Sequence, residues 1–329
     1  MASSAPSPPT FPPAPAGQVR RAAIAFGALA SVAFGLIVLG SLVRAHGAGL
    51  ACPDWPLCFG RVLPTFDMRI AFEWGHRALA GGLTLGLAGV TVWVLRRPAL
   101  LAAIGGLLAA SWGLLALQVA LGGLTVLLGL APWTVVGHLL CGNALCVALY
   151  GCSREIREHA TPRPSSVAAP PATRAAVGLV GALVVLQVWL GGMVSSHYAG
   201  LACEHFPTCD GGSFAPGFAG SVGLQVSHRI GAAALGLAVV LLVVVTRRAG
   251  GQLARLARID LALVGLQIGV GAANVWLRLP VEITALHSGL AAATVLATSL
   301  LVREGLLRRA LHSSPYEAAE SVQAGGAPA

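Results

Sequence analysis

The sequence predicts an all-α integral membrane protein with eight transmembrane helices. It places them as two repeat-related four-helix bundles with both termini cytoplasmic. Three observations predict this. Of 329 residues, 56% are hydrophobic and only 10% charged, at a mean hydropathy of +0.79; a soluble domain carries about 25% charge. The apolar residues fall in runs of about 20, enough to cross a hydrocarbon core about 30 Å thick. The second half of the chain also repeats the first. A cytosolic enzyme and a disordered chain are excluded. Net charge +9 would otherwise suggest nucleic acid. Here the basic residues, all Arg, bracket the apolar runs and read as membrane topology. The partner they imply is lipid, not nucleic acid.

Residues 1–21, rich in proline from Pro6 to Pro15, read as a disordered N-terminal tail. The first span, 22–44, is too long for a signal-peptide core. Spans 74–95, 101–124 and 132–152 complete an N-terminal half, 22–152. Segment 153–174, built from Ser, Pro, Arg and Ala, reads as a cytoplasmic linker. Spans 175–195, 225–246, 256–277 and 282–302 form the C-terminal half, 175–302. A cytoplasmic tail, 303–329, follows. Most arginines, among them Arg20, Arg21, Arg96, Arg97, Arg154, Arg157, Arg247 and Arg248, lie at the termini and the even-numbered loops. That excess puts this side in the cytoplasm, so the long loops 45–73 and 196–224 face outward.

The repeat has a shift of about 151 residues. GSLVRAHGAGLACPDWPLCFG (40–60) matches GGMVSSHYAGLACEHFPTCDG (191–211), and GHRALAGG at 75 matches SHRIGAAA at 227. LQVALGGL (117–124) matches LQIGVGAA (266–273), and in each half a His follows that Gln by 20 residues. Two halves of four spans run the same way through the membrane, related by an axis along its normal.

Each even-numbered span carries one His near its outer end: His76, His138, His228 and His287. Counting to the inner arginines places all four roughly 24–30 Å above the inner boundary. A lone intramembrane His is as often a packing residue as a ligand. Four at one depth in two repeat-related pairs point to function. Two imidazoles with no Cys or carboxylate at their level suit axial ligation of haem iron, whereas zinc wants three or four ligands. The small-residue faces at Gly81–Gly82, Gly122–Gly123 and Gly191–Gly192 leave room for a porphyrin or allow close helix packing. Arg77 and Arg229 follow their histidines and read either as propionate contacts or as headgroup anchors.

Cys52–Cys58 and Cys203–Cys209 sit in the outward loops, where disulfides form; a short exposed pair also suits redox activity. Cys141, Cys146 and Cys152 read as buried thiols. Glu73 stands one helical turn before His76, where the second half has Gln225. Acid–base chemistry therefore belongs to the first half, unless Glu73 simply faces water at the interface.

GSLVRAHGAGLACPDWPLCFGRVLP followed by EWGHR resembles the first outer loop and second helix of haem A synthases, the COX15/CtaA-type membrane family. The resemblance runs from about residue 22 to 303. It implies an oxidoreductase that converts haem O to haem A, oxidising the C8 methyl to a formyl group. Two hydroxylations would give a gem-diol that loses water. By the same resemblance, His76 and His138 would hold the substrate haem O and His228 and His287 a resident haem b. Glu73 would be the catalytic acid, and Cys52–Cys58 the outer-loop disulfide. Partners implied are a haem O synthase, cytochrome oxidase assembly factors and an external electron partner or quinone. The chain has no dinucleotide fingerprint of its own, and homo-oligomer formation stays open. The compartment implied is a bacterial inner membrane, with the His and Cys sites toward the periplasmic face. With both axial positions of the first-half iron taken, either His76 or His138 lets go, or oxidation proceeds by electron removal with water as oxygen source. Two rival readings are a two-haem b-type cytochrome that only carries electrons and a non-haem transporter.

Overall fold

The computed structural model describes residues 14–65, 67–160, 169–209, 212–247 and 251–307. Its helices are α1 (Ala16–Ala45), α2 (Met68–Leu95), α3 (Pro98–Leu127), α4 (Pro132–Ala160), α5 (Pro171–Ser196), α6 (Gly220–Thr246), α7 (Gly251–Trp276) and α8 (Val281–Val302). All eight are long and apolar enough to cross a membrane. A π-helical turn, Arg303–Leu307, continues α8.

Every predicted span is present, and the helices extend past most of the predicted ends. α1 starts at Ala16, so residues 16–21 are helical and not tail. The prolines stop at Pro15, which stands just before the helix, where its fixed φ and missing N–H cost nothing. α4 runs to Ala160 and α5 begins at Pro171, which shortens the expected linker from both sides. Residues 1–13, 161–168 and 308–329, where the remaining tail and linker expectations fall, lie outside the described residues.

Starts and stops follow local chemistry. Asp67 caps α2, its carboxylate accepting the Ile70 N–H at 2.8 Å, one of the orphan donors of a helix start. Pro98, Pro132 and Pro171 open α3, α4 and α5. α1 ends where Gly47 turns to φ +61° and the Ala48 N–H reaches Val43 O at 2.8 Å, a left-handed stop that favours glycine. α5 ends the same way, 151 residues on, with Tyr198 at φ +53° and Ala199 bonded to Val194 O at 2.9 Å. A tyrosine bears that conformation with its ring held under the Arg44 guanidinium at 4.3 Å.

Each half has its own core. α1–α4 gather around Phe26, Leu87, Ile104 and Leu149, and α5–α8 around Val177, Val180, Val239 and Leu242. Between the halves, α1 and α4 pack on α5 and α8. Gly192 of α5 lets Val136 and Leu139 of α4 come close, which is the helix-packing use of a small residue. Polar staples close both ends of the seam. At one end Arg44 donates to Ser195 Oγ at 2.6 Å and to the Ser195 carbonyl. At the other, Arg303 pairs with Glu155 and with Glu158, the latter at 2.8 Å.

Candidate functional site

The outer loops are built first by covalent and polar constraints. Both disulfides are present, Cys52–Cys58 and Cys203–Cys209, with all four cysteines buried. Cys141, Cys146 and Cys152 are free and buried, as expected. Inside the first loop, Asp54 accepts the N–H groups of Phe59 at 2.6 Å and Gly60 at 2.8 Å. The Gly60 bond does most to hold the Asp54 carboxyl below its usual range, because a hydrogen-bonded carboxylate resists protonation.

Arg77 and Arg229 hold these loops down. Arg77 donates to the carbonyls of Asp54 at 2.8 Å, Leu57 at 2.6 Å and Cys52 at 3.4 Å. Arg229 donates to those of His205 at 2.8 Å, Thr208 at 3.0 Å and Cys203 at 3.0 Å. The acceptors correspond one for one at a shift of 151. The sequence offers propionates or headgroups as partners for both arginines and does not reveal this use, since a backbone acceptor leaves no trace in it.

Glu73 does not face water: it is 5% exposed. One carboxylate oxygen accepts the Cys52 N–H at 2.8 Å, and the other pairs with Arg77 at 2.5 Å. A buried carboxylate needs such partners. In the second half, Gln225 donates to Gly200 O at 2.6 Å, anchoring the equivalent loop without a charge.

Below the loops lie the histidines. The His76 and His138 rings stand with centroids 6.4 Å apart, tilted 57° to each other. Two imidazoles bound through nitrogen to opposite sides of one iron, each with a bond of about 2 Å and about 1.2 Å from nitrogen to ring centre, stand about 6.4 Å apart. The pair fits axial ligation. Among the described residues, no three His, Cys, Asp or Glu side chains gather in a metal-binding group. The donor set is imidazole alone, which suits haem iron and not zinc. His138 Nδ1 lies 3.2 Å from Gln118 O and its Nε2 lies 3.2 Å from the Gln118 amide nitrogen. That arrangement puts the proton on Nδ1 and the lone pair on Nε2. The buried Nδ1 atoms of His76 and His287 have no hydrogen-bond partner among the described residues.

Of the predicted glycine faces, Gly122 and Gly191 lie against the His138 and His228 rings, and Gly123 lies against the Trp55 indole. Trp55 therefore reaches from the disulfide loop to α3 at the residue after Gly122. Gly81 and Gly82 meet nothing within 4 Å and are exposed. Sequence reading missed Trp55, and it missed Gln187, whose amide nitrogen is 3.0 Å from His228 Nδ1.

Known proteins resemble this sequence. A family model described as cytochrome oxidase assembly protein, COX15-CtaA, matches residues 23–299. A protein of Shewanella oneidensis named heme A synthase is 30% identical over 307 residues, covering 79% of this chain and 89% of its own length. One of the same name from Symbiobacterium thermophilum is 30% identical over 72% of this chain and 79% of its own length. A third, from Caulobacter vibrioides, is 28% identical over 84% and 93%.

Proposed function

The chain belongs to the COX15-CtaA family of cytochrome oxidase assembly proteins, and from that premise we propose how its two histidine pairs divide the work. It is a haem A synthase, a membrane oxidoreductase that converts haem O to haem A. The single observation that carries the site assignment is the pair His76 and His138 at 6.4 Å. We assign the substrate haem O to that pair. Haem b, an iron porphyrin that takes up and passes on single electrons, is assigned to His228 and His287.

Two differences between the halves support this division. The first half has a carboxylate, Glu73, where the second has Gln225. It also has Trp55 of the disulfide loop packed on Gly123 of α3. Glu73 is held by the Cys52 N–H and Arg77, so its charge is fixed at the outer end of the pair. There we assign it the acid–base role of the substrate site. Arg77 and Arg229 act through the loops they hold; a propionate contact would add to that role.

The arginine distribution supports outward-facing loops, and we assign the chain to a bacterial inner membrane. Electrons leave through an external partner or quinone. Haem O synthase supplies the substrate, and oxidase assembly factors receive the product.

The test is haem extraction and mass analysis of the purified chain co-produced with a haem O synthase. Haem A or its hydroxylated precursor is expected in the wild type and is reduced in Glu73→Ala. His287→Ala is expected to lose protohaem. Protohaem alone in the wild type, despite available haem O, would leave a two-haem electron carrier as the better account.

A further inference from the structure

Each of the four imidazoles rests on a glycine of the preceding helix, and the contact repeats atom for atom. A Cβ placed on Gly40 would stand 3.3 Å from His76 Cε1; on Gly122, 3.0 Å from His138 Cε1; on Gly191, 3.3 Å from His228 Cε1; on Gly271, 3.1 Å from His287 Cε1. In all four the next nearest ring atom is Nδ1, at 3.5–3.9 Å. The same ring edge therefore faces the glycine each time, and Nε2 is the nitrogen turned furthest from it. Ordinary helix packing does not select one ring atom four times. Other glycines on these helices, Gly35, Gly113 and Gly269, meet nothing within 4 Å.

Three of the four seats carry a second part. One helical turn before the glycine stands a glutamine: Gln118 before Gly122, Gln187 before Gly191 and Gln267 before Gly271. Two of the amides lie on an imidazole nitrogen, though not the same one, and the third lies on its histidine's backbone. Gln118 reaches His138 Nε2 at 3.2 Å and Gln187 reaches His228 Nδ1 at 3.0 Å. Gln187 and Gln267 also donate to the backbone carbonyls of His228 at 2.9 Å and His287 at 3.0 Å. The fourth seat differs. Leu36 occupies the position before Gly40, where the repeat places Gln187, so no amide stands there; the Nδ1 of His76 is buried without a hydrogen-bond partner among the described residues, as is that of His287.

We propose that Gln-x3-Gly is the device that positions an iron-binding histidine in this chain, and that Leu36 leaves the His76 seat incomplete so that His76 is the ligand that exchanges. Gln118, Gln187 and Gln267 are positioning residues that act through their histidines. The proposal rests on the haem reading above and says which ligand of the substrate site lets go. A partner that orients a ligating imidazole changes metal affinity by about 10–100-fold when removed. A seat built without it holds its histidine weakly from the start. Weak holding suits a site that must admit a substrate and release a product, and it is a fault in a site that keeps its haem.

The test exchanges the two residues. The purified full chain, loaded with haem by co-production, is compared with Gln187→Leu, Leu36→Gln and the double exchange. Two readouts are followed for each half: carbon monoxide binding to the ferrous state, which requires a histidine to leave, and the rate of haem transfer to excess apomyoglobin. In the wild type, the first-half haem is expected to bind carbon monoxide and the second-half haem to resist it. Leu36→Gln is expected to slow both processes about tenfold in the first half. Gln187→Leu is expected to speed both about tenfold in the second. Each single variant leaves the other half's haem as an internal check of folding. Unchanged rates in both single variants, with wild-type haem content, overturn the proposal while the haem reading stands. A wild type that takes up no haem with two-histidine ligation overturns both.

Discussion

The Glu73–Arg77 pair offers the sharpest energetic test, because both members are largely buried and each has a second job. Their side chains are 6% and 16% exposed and meet at 2.5 Å. Arg77→Met removes the cation and leaves the Glu73 carboxylate with only the Cys52 N–H at 2.8 Å. Breaking a fully buried pair from one side costs about 3–5 kcal/mol, most of it from the stranded charge. The residual exposure of Arg77 scales this down to about 2–3 kcal/mol. Two short bonds from Arg77 to the Asp54 and Leu57 carbonyls add about 1.5 kcal/mol each, as bonds to a charged group do. Glu73→Gln, which copies Gln225, removes the stranded charge and keeps an acceptor for the Cys52 N–H.

The double variant is therefore expected to be more stable than Arg77→Met alone, despite carrying one more change. Unfolding free energies from detergent-titrated unfolding of the four proteins give the coupling directly. A coupling of about 2 kcal/mol is expected on these magnitudes. Additive single effects, within about 0.5 kcal/mol, would refute the reasoning that the carboxylate depends on this guanidinium.

Replacing Cys52 and Cys58 by serine opens a loop of sequence separation 6. The loop-closure entropy makes that cost about 2 kcal/mol in the same unfolding measurement. Asp54 makes the first loop sensitive to acid. Its folded carboxyl titrates below the usual range, so its contribution is present above the unfolded value of about 3.9 and fades as pH falls through the folded value. Trp55 fluorescence should change in that window, and the change should be absent in Asp54→Asn. Arg303→Gln removes the staple between α8 and the two glutamates of α4; a loss of about 1 kcal/mol is expected, with haem content unchanged by absorbance. Cys141, Cys146 and Cys152 are buried and should resist a maleimide reagent until the protein is denatured, as judged by mass.

The eight spans, the repeat and the four histidines are legible in the amino-acid sequence for physical reasons that act locally. A run of apolar residues can only be a span, because a helix satisfies its own backbone in lipid. A histidine in such a run is costly enough to stand out, and the outer cysteine pairs are near neighbours in the chain. The helix ends were less legible. Residues 16–21 carry Gln18, Arg20 and Arg21 and no apolar run, yet they extend α1 from Pro15 inward.

Partners that lie far apart in the chain and carry no signature emerge only once it is folded. Arg77 and Arg229 reach for carbonyls, which every residue has, so nothing in the sequence says which ones. Glu73 reads equally well as buried or wet until the Cys52 loop is folded over it. Gln187 lies 41 residues from the histidine it holds, and Leu36 looks like any other apolar residue of α1 until Gly40 is seen under the His76 ring. Spans follow from the free energy of each segment in lipid; the polar contacts at the site depend on how the segments pack against one another.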